Sequence, residues 1–206
     1  MRPAYAYLGI GIVFILALVA FINPSFMSGA KNTSGTITSA TNTSPTTTMT
    51  KTSLKLSSSA FTDGASIPSQ YTCDGAAVSP PLTISGAPEG TKGLAIIMED
   101  PDVPKQLKPD GVFLHWVLFN IPGSVTELVE DAKVGTPGAN GAGKNGFAGP
   151  CPPAQYQPNE HRYIFTLYAL DMTLALKAGA SKDEVVKAMD GHILAQTQLI
   201  GKYKRK

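Results

Sequence analysis

Apolar residues along this chain fall into one long uncharged run and then several short ones. From Ala4 to Ile22 no side chain carries charge, and Ile, Leu, Val, Ala, Phe and Gly dominate. As a helix these 19 residues reach about 28 Å at 1.5 Å per residue, close to the thickness of a bilayer core. The run predicts one transmembrane helix. Past residue 53 the pattern changes. Gly93 to Glu99 and Phe113 to Asn120 are short, nearly continuous apolar runs bounded by Gly, Pro and Asp, and Tyr163 to Leu170 is aromatic and branched. All three predict buried strands. Ser181-Lys182-Asp183-Glu184 is a capping box, and Val185, Val186 and Met189 follow at helical spacing until Gly191, so one helix is predicted there. Ile193 to Tyr203 predicts a terminal strand. Pro80-Pro81, Ile121-Pro122-Gly123 and Gly135-Thr136-Pro137-Gly138 mark turns and open loops between these elements. The folded part is mostly β.

Composition separates this part from what precedes it. Residues 31–53 are Ser, Thr, Asn and Gly with few large apolar side chains, too little to offset the entropy of ordering, and they predict a disordered stalk. Asn32-Thr33-Ser34 and Asn42-Thr43-Ser44 are glycosylation sequons within it. Residues 54–206 have the length of one domain with a single well-buried core. Arg2 and the amino terminus precede the apolar run and Lys31 is the first charge after it, which favours export of the remainder. The expected arrangement is an uncleaved anchor within residues 1–30 and an extracytoplasmic domain. A cleaved signal peptide, with Ser28-Gly29-Ala30 near the cut, is the alternative and would give a secreted protein.

The formal net charge of +2 is too small for a nucleic-acid footprint, and Lys202, Lys204, Arg205 and Lys206 read as a solvated basic tail. Cys73 and Cys151 are the two cysteines and both fall in the exported domain, where pairing is expected. The bridge would close a loop of 78 residues. Chain entropy puts an upper value of about 4–5 kcal/mol on such a closure. Two unpaired thiols remain the alternative at this point. No Cys-x-x-Cys or His-x-x-x-His spacing exists to hold zinc, and no metal or cofactor is expected.

Three segments carry candidate chemistry. Gly149-Pro150-Cys151-Pro152-Pro153 is a stiff loop, since proline fixes φ and donates no hydrogen bond, and it leads to His161 at the mouth of the Tyr163 strand. Asp100-Pro101-Asp102-Val103-Pro104 presents two carboxylates from a stiffened turn at a strand end, an arrangement that turn formation alone also explains. His115 interrupts an apolar strand beside Trp116. If the Asp100 and His115 strands are neighbours, the carboxylate is expected to hold one His115 nitrogen and raise its pKa, with the other N–H facing a ligand. His161 would supply a second donor, which makes a small anion site. Gly138 to Asn145 fits phosphate-loop spacing except at Asn145, where Ser or Thr would bind magnesium. No strand feeds that run and no helix can follow it, so it reads as a flexible glycine-rich loop. No serine sits in a nucleophile-elbow context, and Cys151 lies between prolines, so binding is favoured over turnover.

Taken together, these motifs resemble the phosphatidylethanolamine-binding protein family, which includes Raf kinase inhibitor proteins, and in particular its compact prokaryotic branch. The resemblance rests on Tyr71-Thr72-Cys73-Asp74-Gly75 leading to Ser79-Pro80-Pro81-Leu82, on Asp100 to Pro104, on His115-Trp116-Val117 with Asn120-Ile121-Pro122, and on Gly149 to Pro153 with His161-Arg162-Tyr163. It implies two packed β-sheets with one or two short helices. It further implies a pocket lined by Asp100 and His115, rimmed by Cys151, Pro152 and Pro153, and closed by His161 with Tyr163. Asp102 and Arg162 would brace the loops. The connector Ala154 to Glu160 is longer than the family's usual one, and the membrane segment and stalk are additions to the family domain. The function expected is a membrane-tethered or exported binding protein for a small anionic ligand such as a phospholipid headgroup. Inhibition of serine proteases or other enzymes, with the exposed connector meeting a protein target, is the alternative.

Overall fold

The structure is a computed structural model that describes residues 53–205. The expected membrane segment, residues 4–22, and the stalk up to residue 52 lie outside the described residues, as does Lys206. Among the described residues no helix is long and apolar enough to cross a membrane.

Eight strands form two sheets. The smaller contains β1 (Lys55–Ser57), β2 (Leu82–Ser85) and β5 (Glu127–Leu128) in the order β1-β2-β5. The larger contains β3 (Gly93–Asp100), β4 (Phe113–Pro122), β6 (Thr136–Pro137), β7 (Glu160–Leu170) and β8 (Ile193–Lys204) in the order β6-β4-β3-β7-β8. One helix, α1 (Lys182–Met189), and a single 3-10 turn at Ser69–Tyr71 complete the described elements.

Central β3 explains why its sequence runs apolar without alternation. Its two faces enter different cores. Leu94, Ile96 and Met98 meet Trp116, Leu118, Phe165 and the small-sheet residues Leu56, Leu82 and Ile84. Ala95 and Ile97 meet Val117, Phe119, Leu174, Val185 and Met189 on the helix side. A strand buried on both faces needs apolar side chains at every position. α1 begins where its capping box predicts, with the Ser181 side chain accepting from the Glu184 N–H and the Glu184 carboxylate accepting from the Ser181 N–H. Burying Val185 and Met189 adds about 1.5–3 kcal/mol each.

Two irregularities in β4 matter for the site. Met98 pairs with Trp116 but Glu99 pairs with Leu114, so His115 is a surplus residue, a β-bulge. Leu94 pairs with Ile121 and Ile96 with Leu118, which leaves two β4 residues opposite Ala95. One of them, Asn120, has φ 53°, a left-handed conformation that Asn tolerates. Its side chain accepts from the Leu174 N–H and donates to the Leu174 carbonyl, which pins that loop to the sheet.

Three expectations need correction. His161 is the second residue of β7, paired with Tyr203, so it sits within the strand. Lys202 and Lys204 belong to β8, and Arg205 makes a bidentate pair with Asp74, so the basic C-terminus is structured through Arg205 because β8 pairs along the full length of β7. The glycine-rich run 138–145 is pinned. Buried Asn140 accepts from the Ala142 and Lys144 N–H groups and donates to the Gly146 carbonyl.

Candidate functional site

A recess of about 200 Å³ opens where the Asp100 turn, the β4 bulge and the Gly149–Pro153 loop meet. Asp100, Val103, Phe113, His115, Ala148, Gly149, Cys151, Pro152, Pro153 and His161 line it. Asp100, His115 and His161 are buried within this small volume. The structure therefore brings together six of the seven residues expected at a pocket. Tyr163 is the exception.

Asp100 ends β3 and holds its own turn, since its Oδ1 accepts the Asp102 N–H at 2.9 Å. The other oxygen, Oδ2, accepts from His161 Nδ1 at 2.7 Å. His161 Nε2 lies 3.0 Å from the Pro158 carbonyl. Both ring nitrogens of His161 are thus taken up by partners within the fold, and neither is left for a ligand.

His115 corrects the sequence expectation in two ways. Its Nδ1 donates to the Ala148 carbonyl at 2.7 Å, so Asp100 holds His161 and not His115. Burial is the largest influence on this ring and pushes its pKa below the ordinary value, overriding the Ala148 hydrogen bond and the Asp100 charge, which both act upward. His115 is thus neutral at neutral pH, and its Nε2 is a lone pair with no protein partner among the described residues. Phe113 and Tyr163 meet the ring edge-on at 4.8 and 5.1 Å and fix its plane.

Tyr163 supports this floor from below without lining the recess. Its hydroxyl is buried with no hydrogen-bond partner among the described residues. Burial first and the Asp100 charge second hold that hydroxyl strongly in its protonated form. Asp102 accepts from the Arg162 backbone N–H, Nε and Nη2, and this guanidinium lowers the Asp102 pKa. The pair ties the Asp100 turn to β7 next to His161.

The rim is fastened on its far side. Cys73 and Cys151 form a disulfide, with Cα atoms 5.4 Å apart, as the sequence reading expected. The Cys73 N–H donates to the Pro150 carbonyl. A Cβ on Gly149 would come within 3.1 Å of the Thr72 backbone, so glycine permits this close approach of the two loops. Asp74 accepts from the Tyr203 hydroxyl at 2.7 Å and from Arg205, which anchors the Cys73 loop to the end of β8. The backbone N–H groups of Gly149 and Cys151 meet no protein acceptor among the described residues.

Sequence reading singled out neither Ala148 nor Val103 nor Phe113. Val103 lies inside the Asp-Pro-Asp-Val-Pro motif and was within reach. Ala148 acts through its carbonyl, which residue type does not reveal. A larger hollow of about 620 Å³ lies on the outer face of the large sheet, where Glu99, Lys108, Asp110, Ile164, Lys182 and Gln198 are among its walls. Four of its charges are paired, Lys182 with Glu99 at 2.6 Å and Lys108 with Asp110, while Asp183 is exposed to solvent.

Known proteins share this architecture. The profile of the family described as "Phosphatidylethanolamine-binding protein" matches residues 57–204. A UPF0098 protein of Chlamydia pneumoniae is 43% identical over 153 residues, 74% of this chain and 99% of that protein. A UPF0098 protein of Methanothermobacter thermautotrophicus is 45% identical over 159 residues, 74% of this chain and 99% of that protein. The crystal structure of a Chlamydia trachomatis protein, described as a homolog of phosphatidylethanolamine-binding protein, superposes with a TM-score of 0.72 at 41% identity. It covers 75% of this chain and 99% of its own. Escherichia coli YbcL, described as a new member of the mammalian family, gives 0.66 at 29% identity over 74% of this chain and 99% of its own. With most of its folded part matched in sequence and in structure, this chain belongs to the phosphatidylethanolamine-binding protein family.

Proposed function

We propose that the domain binds a small anionic group, a phosphoryl or carboxylate headgroup, in the recess beside His115, and that it does so outside the cytoplasm on a tether formed by residues 4–22. The observation that carries this reading is the recess itself. Its 200 Å³ lies below the roughly 300–1,000 Å³ of sites for drug-sized ligands and suits one headgroup. Both His161 nitrogens are committed, so the donors proposed for an anion are the backbone N–H groups of Gly149 and Cys151, two residues that line the recess and whose N–H groups meet no protein acceptor among the described residues. His115 Nε2 takes part either by accepting from a protonated acid or by taking up a proton along with the anion. No side chain here is arranged as a nucleophile, since both cysteines are bridged, and the reading is binding and not turnover.

Isothermal titration calorimetry reads binding at the recess directly. Titration of residues 53–206 with inorganic phosphate and with O-phosphoethanolamine should give a saturable change, weakened about 10-fold or more in His115→Ala through loss of a charge-assisted hydrogen bond. Equal affinity of the two proteins would overturn the proposal. Inhibition through the connector is the competing reading, and the connector is mostly exposed yet anchored by the Pro158 carbonyl to His161. Protease inhibition that survives His115→Ala but is lost when residues 154–157 are replaced by Gly and Ser would favour it.

A further inference from the structure

The long edge strand β8 is covered over only part of its length. The Ile200 N–H donates to Asp63 Oδ1 and its carbonyl accepts from the Gly64 N–H, while Lys202 exchanges hydrogen bonds with Ala65 and Ile67. Even-numbered residues of β8 therefore turn their backbone groups away from β7. Register with β7 is unbroken from Lys204 to Ala195, so Gln196 and Gln198 point the same way. Among the described residues nothing pairs with those four groups. A bulge at Leu194, the surplus residue between Ala195 and Ile193, ends the regular ladder on the other side.

Exposed edges are ordinarily blunted by charge or proline. Between Ile193 and Gly201 β8 has neither. Ile193 and Leu194 are moreover exposed. We propose that this free edge pairs antiparallel with the same segment of a second copy, about a two-fold axis through Thr197. That register places Gln196 of each copy opposite Gln198 of the other and satisfies all four free groups on both strands. Thr197 then faces its own counterpart, a favourable cross-strand pair. The ladder stops at Ile200 and at Leu194, where the covering segment and the bulge begin. Antiparallel pairing also brings the Asp190 end of each strand to the Lys202 and Lys204 end of the other, opposite charges at both ends. An isologous contact of this kind closes on itself and gives a dimer.

The Chlamydia pneumoniae relative is matched over 99% of its length by the folded part alone, so that part is a whole protein there and a fair object for the test. Sedimentation equilibrium of residues 53–206 and of the detergent-solubilised full chain should both show dimers that dissociate on dilution. Gln196→Lys with Gln198→Lys sets like charges opposite each other across the axis and should weaken association about fivefold or more. Gln196→Lys with Gln198→Glu sets opposite charges there and should restore or strengthen it. Both positions are exposed, and circular dichroism will verify that each variant folds. A monomer at all concentrations, or a dimer indifferent to both variants, would sink the proposal. So would a dimer of residues 53–206 that vanishes in the full chain, which would assign the edge to residues preceding the domain.

Discussion

The recess and the outer groove sit on the same sheet and treat their charges in opposite ways. In the groove, Lys182 and Glu99 neutralise each other at the surface, where solvent screens them. In the recess, Asp100 and His161 are withdrawn from water, and their side chains bond to one another, to the Asp100 turn and to the Pro158 carbonyl. The groove has three times the volume, and four of its charged side chains are already paired. Among the described residues, His115 Nε2 and the backbone N–H groups of two residues lining the recess have no protein partner. Hydrogen-bonding capacity left open toward a small cavity, more than size, separates a binding site from a surface hollow.

The sharpest way to test that contrast is to remove one partner from each pair. Asp100→Asn breaks the buried contact with His161 and should destabilise the domain by about 3–5 kcal/mol in urea unfolding. A smaller effect should appear in acid. The folded-state pKa of His115 lies below its ordinary value, so the unfolded chain binds this proton more readily. The stability attached to the neutral ring is complete above about pH 6.5 and is lost as pH falls from there through the lower folded value. Anion affinity should move the other way and rise over the same interval, because a protonated His115 donates to the ligand. Paired urea unfolding and phosphate titrations between pH 7.5 and 5 should show these opposite trends, the stability slope reaching at most about 1.4 kcal/mol per pH unit, and His115→Gln should flatten the stability curve and reduce the rise in affinity. The smallest effect belongs to the groove. Lys182→Ala should change stability by less than about 1 kcal/mol and leave phosphate binding unchanged.

Periodicity revealed the elements whose side chains decide their own burial. β3, β4, β7 and β8 are long apolar or alternating runs, and the capping box located α1 within one residue. β1, β2, β5 and β6 are two to four residues long, too short for any period to emerge, and their pairing depends on distant partners. At the site, residue types pointed to Asp100, His115, Cys151, Pro152, Pro153 and His161. They did not say which histidine the carboxylate holds. That choice follows from the register of β3 with both neighbours and from the Ala148 carbonyl, neither of which has a signature in side-chain chemistry. Tyr163 shares a face of β7 with His161 but lies two residues further along, where it packs with Phe165 and Leu167 in the core, and alternation alone does not reveal where along that face the recess ends.

The surplus residue in β4 gives the recess an unusual vulnerability. The aim of His115 is encoded in the length of a strand as well as in the identity of a side chain. Deleting a single neighbour between Phe113 and Trp116 would restore even pairing with β3 and rotate the imidazole away from the cavity. A tally of matching amino acids would still record every pocket residue as present in such a chain, although the cavity had lost its one unpartnered imidazole nitrogen.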